Sequence, residues 1–132
     1  MKLLLDTHAL LWALISPDQL SQRAVEAIES PDNEIYVSTL SLWEISIKFN
    51  LGKITLNAIT PADLPDAIER TGFELLAPSA EEYASFYQLP RHVHKDPFDR
   101  MLIWQCLQQS LTLVTKDGDI DAYRSLGLQT LW

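Results

Sequence analysis

The sequence predicts an α/β fold, a three-layer α/β/α sandwich around a mainly parallel sheet of four or five strands. Three observations carry this expectation. Short apolar runs of strand character recur at Leu3-Leu4-Leu5, Ile35-Tyr36-Val37, Phe73-Glu74-Leu75-Leu76, Leu111-Thr112-Leu113-Val114 and Leu128-Gln129-Thr130-Leu131. Helical patterns with recognisable starts and stops fill the intervals between them. The 132 residues are 47% apolar and 21% charged, enough apolar surface for one interior, and the length predicts a single domain over residues 1–132.

Taken in order, the opening strand ends at Asp6, and the apolar run Ala9 to Ile15 that follows is about one third of the roughly 20 residues a membrane span needs. Asp6 also interrupts the N-terminal apolar stretch too early for a signal-peptide core. After the second strand, Ser41 is expected to start a helix running towards Gly52. Thr60-Pro61-Ala62-Asp63 combines an N-cap, a proline at the first helical position and an acid at the third, with Gly72 as the stop. Ser79 and Glu82 form a capping box. Asp96-Pro97-Phe98-Asp99 starts a helix through Met101, Leu102, Ile103 and Leu107 that is apolar nearly all round, as a helix covered on several sides must be. Strands alternating with helices favour parallel pairing, right-handed crossovers and a sheet covered on both faces.

Charge narrows the function. Ten Lys and Arg stand against 18 Asp and Glu, a net −8, which argues against a simple basic-patch nucleic-acid binder unless several acids bind metal. The bases gather at Lys48 and Lys53 and at Arg91, Lys95 and Arg100, beside His92 and His94. These five bases are candidates for guiding a phosphate backbone. Cys106 is the one cysteine, with no disulfide partner and no companions for a zinc site; it reads as a core residue of a protein from a reducing, cytoplasmic compartment.

Four carboxylates hold the chemistry. Asp6 follows the first strand and Asp117 the fourth, so both lie near carboxyl ends of parallel strands, the edge where open α/β sheets bind ligands. Glu44 lies about one turn into the helix after the second strand, and Asp99 in the first turn of the helix before the fourth. Carboxylate oxygens suit Mg²⁺ or Mn²⁺ rather than zinc. Such ions activate water and orient a phosphodiester for hydrolysis.

Each acid also has an ordinary structural role. Glu44 and Lys48, four apart, suit a surface helix pair. Asp96 and Asp99 suit helix capping, and Asp6 and Asp117-Gly118 suit turns. His8, His92 and His94 lack the grouping of a metal site; Trp12, Trp43, Trp104 and Trp132 sit among apolar neighbours as core or subunit-contact residues. Thr7, Ser41 and Thr115 are hydroxyls at element ends, where capping is the usual role.

The residues Leu5-Asp6-Thr7-His8-Ala9-Leu10-Leu11-Trp12, Ser38-Thr39-Leu40-Ser41-Leu42-Trp43-Glu44-Ile45 with Ile47-Lys48 and Leu51-Gly52-Lys53, Asp96-Pro97-Phe98-Asp99-Arg100-Met101-Leu102-Ile103 and Leu113-Val114-Thr115-Lys116-Asp117 together resemble the PIN-domain family, and within it the VapC-like toxins of toxin–antitoxin pairs. The resemblance covers nearly the whole chain. It implies a PIN-like sandwich and an endoribonuclease dependent on Mg²⁺ or Mn²⁺, with Asp6, Glu44, Asp99 and Asp117 as catalytic and metal-binding residues. Of the two acids in the third motif, Asp99 is favoured over Asp96. The resemblance also implies an RNA substrate, a homodimer and a cognate VapB-like antitoxin that covers the acidic groove; no membrane association is expected. The alternatives are a Mg²⁺-dependent phosphatase, whose usual Asp-x-Asp-x-Thr pattern is replaced here by Asp6-Thr7-His8-Ala9-Leu10, and a PIN-like binding module without catalysis.

Overall fold

A computed structural model describes residues 1–91 and 96–132. Five strands, β1 (Lys2–Leu5), β2 (Glu34–Ser38), β3 (Glu74–Leu76), β4 (Thr112–Val114) and β5 (Gln129–Leu131), form one sheet in the order β3-β2-β1-β4-β5. Every neighbouring pair is parallel, with Leu5 beside Val37 on one side and Val114 on the other. The α/β expectation therefore holds, at the larger of the two expected strand numbers.

The three layers follow from the two-residue period of a strand. Leu3 and Leu5 face a core that also contains Ala9 and Leu10 from α1 (Thr7–Ile15), Ala24 from α2 (Gln22–Glu29) and Leu64 and Ile68 from α4 (Leu64–Arg70). Leu4 faces the opposite core, built on α6 (Pro97–Gln109) with Leu113, Ile120 and Tyr123. Between the layers α3 (Thr39–Asn50) contributes to both, Ile45 to the first and Leu40 to the second. Leu3, Leu4 and Leu5 are fully buried because a central parallel strand has no solvent face.

Helix starts are set by side chains that accept orphan amide protons. Ser21 accepts from the Ala24 amide, and Ser79 with Glu82 forms the expected reciprocal box at α5 (Ala80–Ser85). Asp96 Oδ1 accepts from Phe98 at 2.8 Å and Asp99 at 3.3 Å, as expected for α6. The start of α3 differs from expectation. Ser38, the last residue of β2, caps it through Leu40, three residues before Ser41, so the strand runs into the helix without a loop. Ser41 becomes a buried interior residue instead. At 61–63 the chain makes a 3₁₀ turn before α4, with the Thr60 amide donating to Asp63 Oδ2 at 2.9 Å. Gly52 and Gly72 follow α3 and α4 at φ +73° and +91°, left-handed values that a residue with a Cβ rarely adopts.

Cys106 is buried and free, as expected of a core residue, and burial pushes its thiol up. Among the described residues no helix is long and apolar enough to cross a membrane. Trp104 is buried, and Trp12 and Trp132 are half-buried with ring centroids 5.7 Å apart. Of the two roles expected for the tryptophans, core or subunit contact, Trp43 does not take the first: it is exposed and meets Phe98 edge-on at 5.5 Å.

Candidate active site

The strand order places β1 and β4 side by side, although the chain leaves β1 for β2 and then β3 before returning to β4 on its other flank. A crevice opens at such a switch point, just beyond the carboxyl ends of the two strands. Asp6 and Asp117 follow those two ends. The Asp6 amide donates to Val114 O at 3.1 Å, carrying the β1–β4 ladder one residue into the crevice. The first turn of α6 brings Asp99 to the same place. A cleft of about 290 Å³ is lined by Asp6, His8, Trp12, Asp99, Lys116 and Asp117.

Asp6 is nearly buried and serves two purposes. Its Oδ1 accepts from the Ala9 amide at 2.7 Å, capping α1, and the Thr115 side chain bonds the same carboxylate. Burial holds this carboxyl above the usual carboxylate range, and the Glu44 charge adds to the shift. Thr115, the Ala9 amide and His8 oppose it without cancelling it. Asp117 caps the following 3₁₀ segment by accepting from Asp119 at 2.9 Å, while Thr115 Oγ1 accepts from the Asp117 amide at 3.1 Å. Thr115 thus touches both strand-end acids.

Glu44 is buried outside the cleft wall, close enough to Asp6 for its charge to act there. Its Oε1 accepts from Thr7 Oγ1 at 2.5 Å and its Oε2 from Lys48 Nζ. Ser41 Oγ stands 3.2 Å from the same Thr7 oxygen. A hydroxyl has one proton, so Thr7 gives it to the carboxylate while Ser41 occupies a remaining lone pair. The helix pair expected between Glu44 and Lys48 forms, but within the fold rather than on its surface. Partial burial pulls the Lys48 ammonium down, yet the bond to Glu44 and the charges of Glu44, Asp96 and Asp99 outweigh it and leave it above its ordinary value.

Three of the four expected acids therefore share one cleft, and the charge of the fourth, outside its wall, reaches Asp6. Among the described residues no three His, Cys, Asp or Glu side chains are arranged, as they stand, to hold one metal ion. Of the expected guiding bases, Lys48 reaches this cluster, whereas Lys53 and Arg91 are exposed residues outside the cleft wall. Arg100 turns away, donating to Leu89 O at 3.2 Å and lying 4.9 Å over the Phe86 ring. Lys95, His92 and His94 lie outside the described residues. Lys116, His8 and Trp12 line the cleft although the sequence points to none of them as site residues. Their signal was positional: His8 and Trp12 are two and six residues past Asp6 on one helix, and Lys116 precedes Asp117.

A PIN domain family model matches residues 3–126. The chain belongs to the PIN domain family. Solved structures share this PIN fold across nearly the full length. VapBC2 from Rickettsia felis, bound to a DNA fragment from its promoter, has TM-score 0.71 and 18% identity, covering 99% of this chain and 98% of that one. DNA-bound VapBC from Salmonella typhimurium has TM-score 0.67 and 15% identity, covering 99% and 97%. FitAcB from Neisseria gonorrhoeae has TM-score 0.60 and 18% identity, covering 98% and 96%. At these identities the likeness is one of fold. No curated protein matches in sequence.

Proposed function

We propose that this PIN domain is an endoribonuclease dependent on Mg²⁺ or Mn²⁺ and acts as the toxin of a toxin–antitoxin pair. The observation that carries the proposal is the meeting of Asp6, Asp99 and Asp117 on one open cleft at the sheet's switch point, with Glu44 beside Asp6. The donor chemistry fits: all four groups offer hard carboxylate oxygens, and the Glu44 charge acting on Asp6 is a repulsion that a bound cation would relieve. Asp6, Asp99 and Asp117 would hold the ion, with Glu44 completing the surrounding charge. When bound, such an ion supplies Lewis acidity at phosphorus and activates water for hydrolysis.

The chain's own residues prepare that chemistry. The Ala9 amide and Thr115 fix the Asp6 carboxylate in one orientation, which lowers the reorganisation needed on binding. Thr7 and Lys48 do the same for Glu44. Lys116, exposed at the cleft and 5.9 Å from the Trp12 ring centroid, meets a phosphate backbone where it enters. The preference for RNA rests on the resemblance to VapC-like toxins.

The structural neighbours that are VapBC complexes support a VapB-like antitoxin as partner, and a net −8 favours a basic segment in it. A homodimer and a cytoplasmic location complete the proposal. The test is cleavage of RNA by purified protein in Mn²⁺, in Mg²⁺ and in chelator, beside Asp6→Asn. The asparagine keeps the oxygen that caps α1 and removes the charge, so an unchanged circular dichroism spectrum with activity at background is expected. Wild-type cleavage by Asp6→Asn sinks the proposed site. Release of phosphate from monoesters with RNA left intact turns the reading to a phosphatase, and absence of metal binding turns it to a binding module.

A further inference from the structure

Lys48 does more in this site than complete a helix pair. Both oxygens of Glu44 are occupied, one by Thr7 and the other by the Lys48 ammonium. Lys48 is also close enough to Asp96 and Asp99, at the start of α6, to feel their charges. Its side chain is about one quarter exposed, while that of Glu44 is almost wholly enclosed. A four-carbon stem with a route to solvent can swing away, whereas the carboxylate it serves cannot follow it out.

We infer that Lys48 is the resident counter-cation of the acidic site, competing with the divalent ion for Glu44 and its neighbouring carboxylates and so setting the site's metal affinity. The inference rests on the metal-site reading above and adds a control to it. Like charges clustered at low dielectric need a cation whether or not metal is present. With Lys48 in place the metal-free fold has one, and an entering ion must either displace that ammonium from Glu44 or bind against its repulsion. Metal binding is therefore weaker than the carboxylates alone would make it, and readily reversible. Thr7 is unaffected by the exchange, since its proton goes to the other oxygen.

The experiment measures Mn²⁺ binding by electron paramagnetic resonance and by calorimetry at fixed ionic strength. Wild type is compared with Lys48→Gln, Lys48→Met and Lys53→Gln. Glutamine keeps a donor for Glu44 and guards against loss of folding; Lys53→Gln makes the same change in net charge at an exposed residue. Lys48→Gln is expected to bind Mn²⁺ roughly tenfold tighter than wild type, while Lys53→Gln, screened by solvent and salt, stays within about twofold. Equal or weaker binding by Lys48→Gln overturns the inference and leaves the metal site standing. Equal tightening in Lys48→Gln and Lys53→Gln also overturns it, because net charge alone then suffices. No Mn²⁺ bound by any of the proteins, wild type included, overturns the metal site and the inference together.

Discussion

Two helices of this protein carry the same local motif and use it differently. In α3 Glu44 precedes Lys48 by four residues, and in α4 Asp66 precedes Arg70 by four, each acid N-terminal to its base. The α4 pair is 2.8 Å apart with side chains 65% and 80% exposed, and water competes for every bond it makes. The α3 pair has its acid 3% exposed and its base 28%, with Thr7 closing the remaining carboxylate oxygen. The spacing is the same; the dielectric is not. A solvated pair decorates a helix, whereas an enclosed one commits the fold to keeping a charge inside and makes that charge available to the site beside it.

The largest expected effect separates the two acids by activity. Glu44→Gln removes a buried charge near Asp6 and is expected to lower RNA cleavage about 10- to 100-fold, the range seen when groups supporting a metal site are lost. Asp66→Asn is expected to leave cleavage at the wild-type rate. Equal activity in the two variants removes Glu44 from the site and makes the α3 pair purely structural.

Stability sharpens the comparison from the basic side. Lys48→Met leaves an enclosed carboxylate with one of its two oxygens unpaired, which is expected to cost about 1–3 kcal/mol. Arg70→Met is expected to cost no more than about 0.5 kcal/mol. Urea unfolding of both in chelator measures the difference, and the double variant Glu44→Gln/Lys48→Met is expected to recover part of the loss because no buried charge is left behind. Matching losses in Lys48→Met and Arg70→Met mean that burial makes no difference to the pair.

The smallest effect concerns Asp99, an acid in the first turn of α6. Without metal, Asp99→Asn sheds repulsion but also a favourable helix-dipole interaction of about 0.3–1 kcal/mol, so the net change is expected to be small. The metal response is the sharper observable. Wild type is expected to gain about 1.4 kcal/mol with metal at about ten times its Kd, and Asp99→Asn less at the same concentration. Thermal melts across a Mn²⁺ series read this, and an equal gain in both proteins reduces Asp99 to a helix residue.

Much of this was legible in the chain itself. All five strands fall on the runs that suggest them, most plainly β1, whose buried Leu3, Leu4 and Leu5 are apolar at successive positions; the edge strands β3 and β5 are partly exposed and are marked by their β-type residues instead. Ser79 with Glu82, Asp96 before Pro97, and Gly72 mark helix ends through contacts within a few residues, so local sequence suffices there. The start of α3 differs from expectation for a related reason: Ser38 and Ser41 are equally good caps in isolation, and the choice falls to Ser38 because β2 ends there, directly against the helix.

The sequence by itself determined the kinds of groups available: three carboxylates at element ends and a fourth one turn into a helix, a hydroxyl beside Asp6 and another two residues before Asp117, and a lysine one helical turn after Glu44. Only the tertiary structure decided which of them meet and in what medium. The order β3-β2-β1-β4-β5 sets residues 6 and 117 on one edge across more than a hundred residues of chain. Packing of α1 against α3 gives Thr7 to Glu44, and the enclosure of that carboxylate turns an ordinary i,i+4 pair into part of the site. Spacing along a helix is a covalent property and can be read from residues. Burial is a property of the whole assembled surface, because it depends on what every other element leaves uncovered.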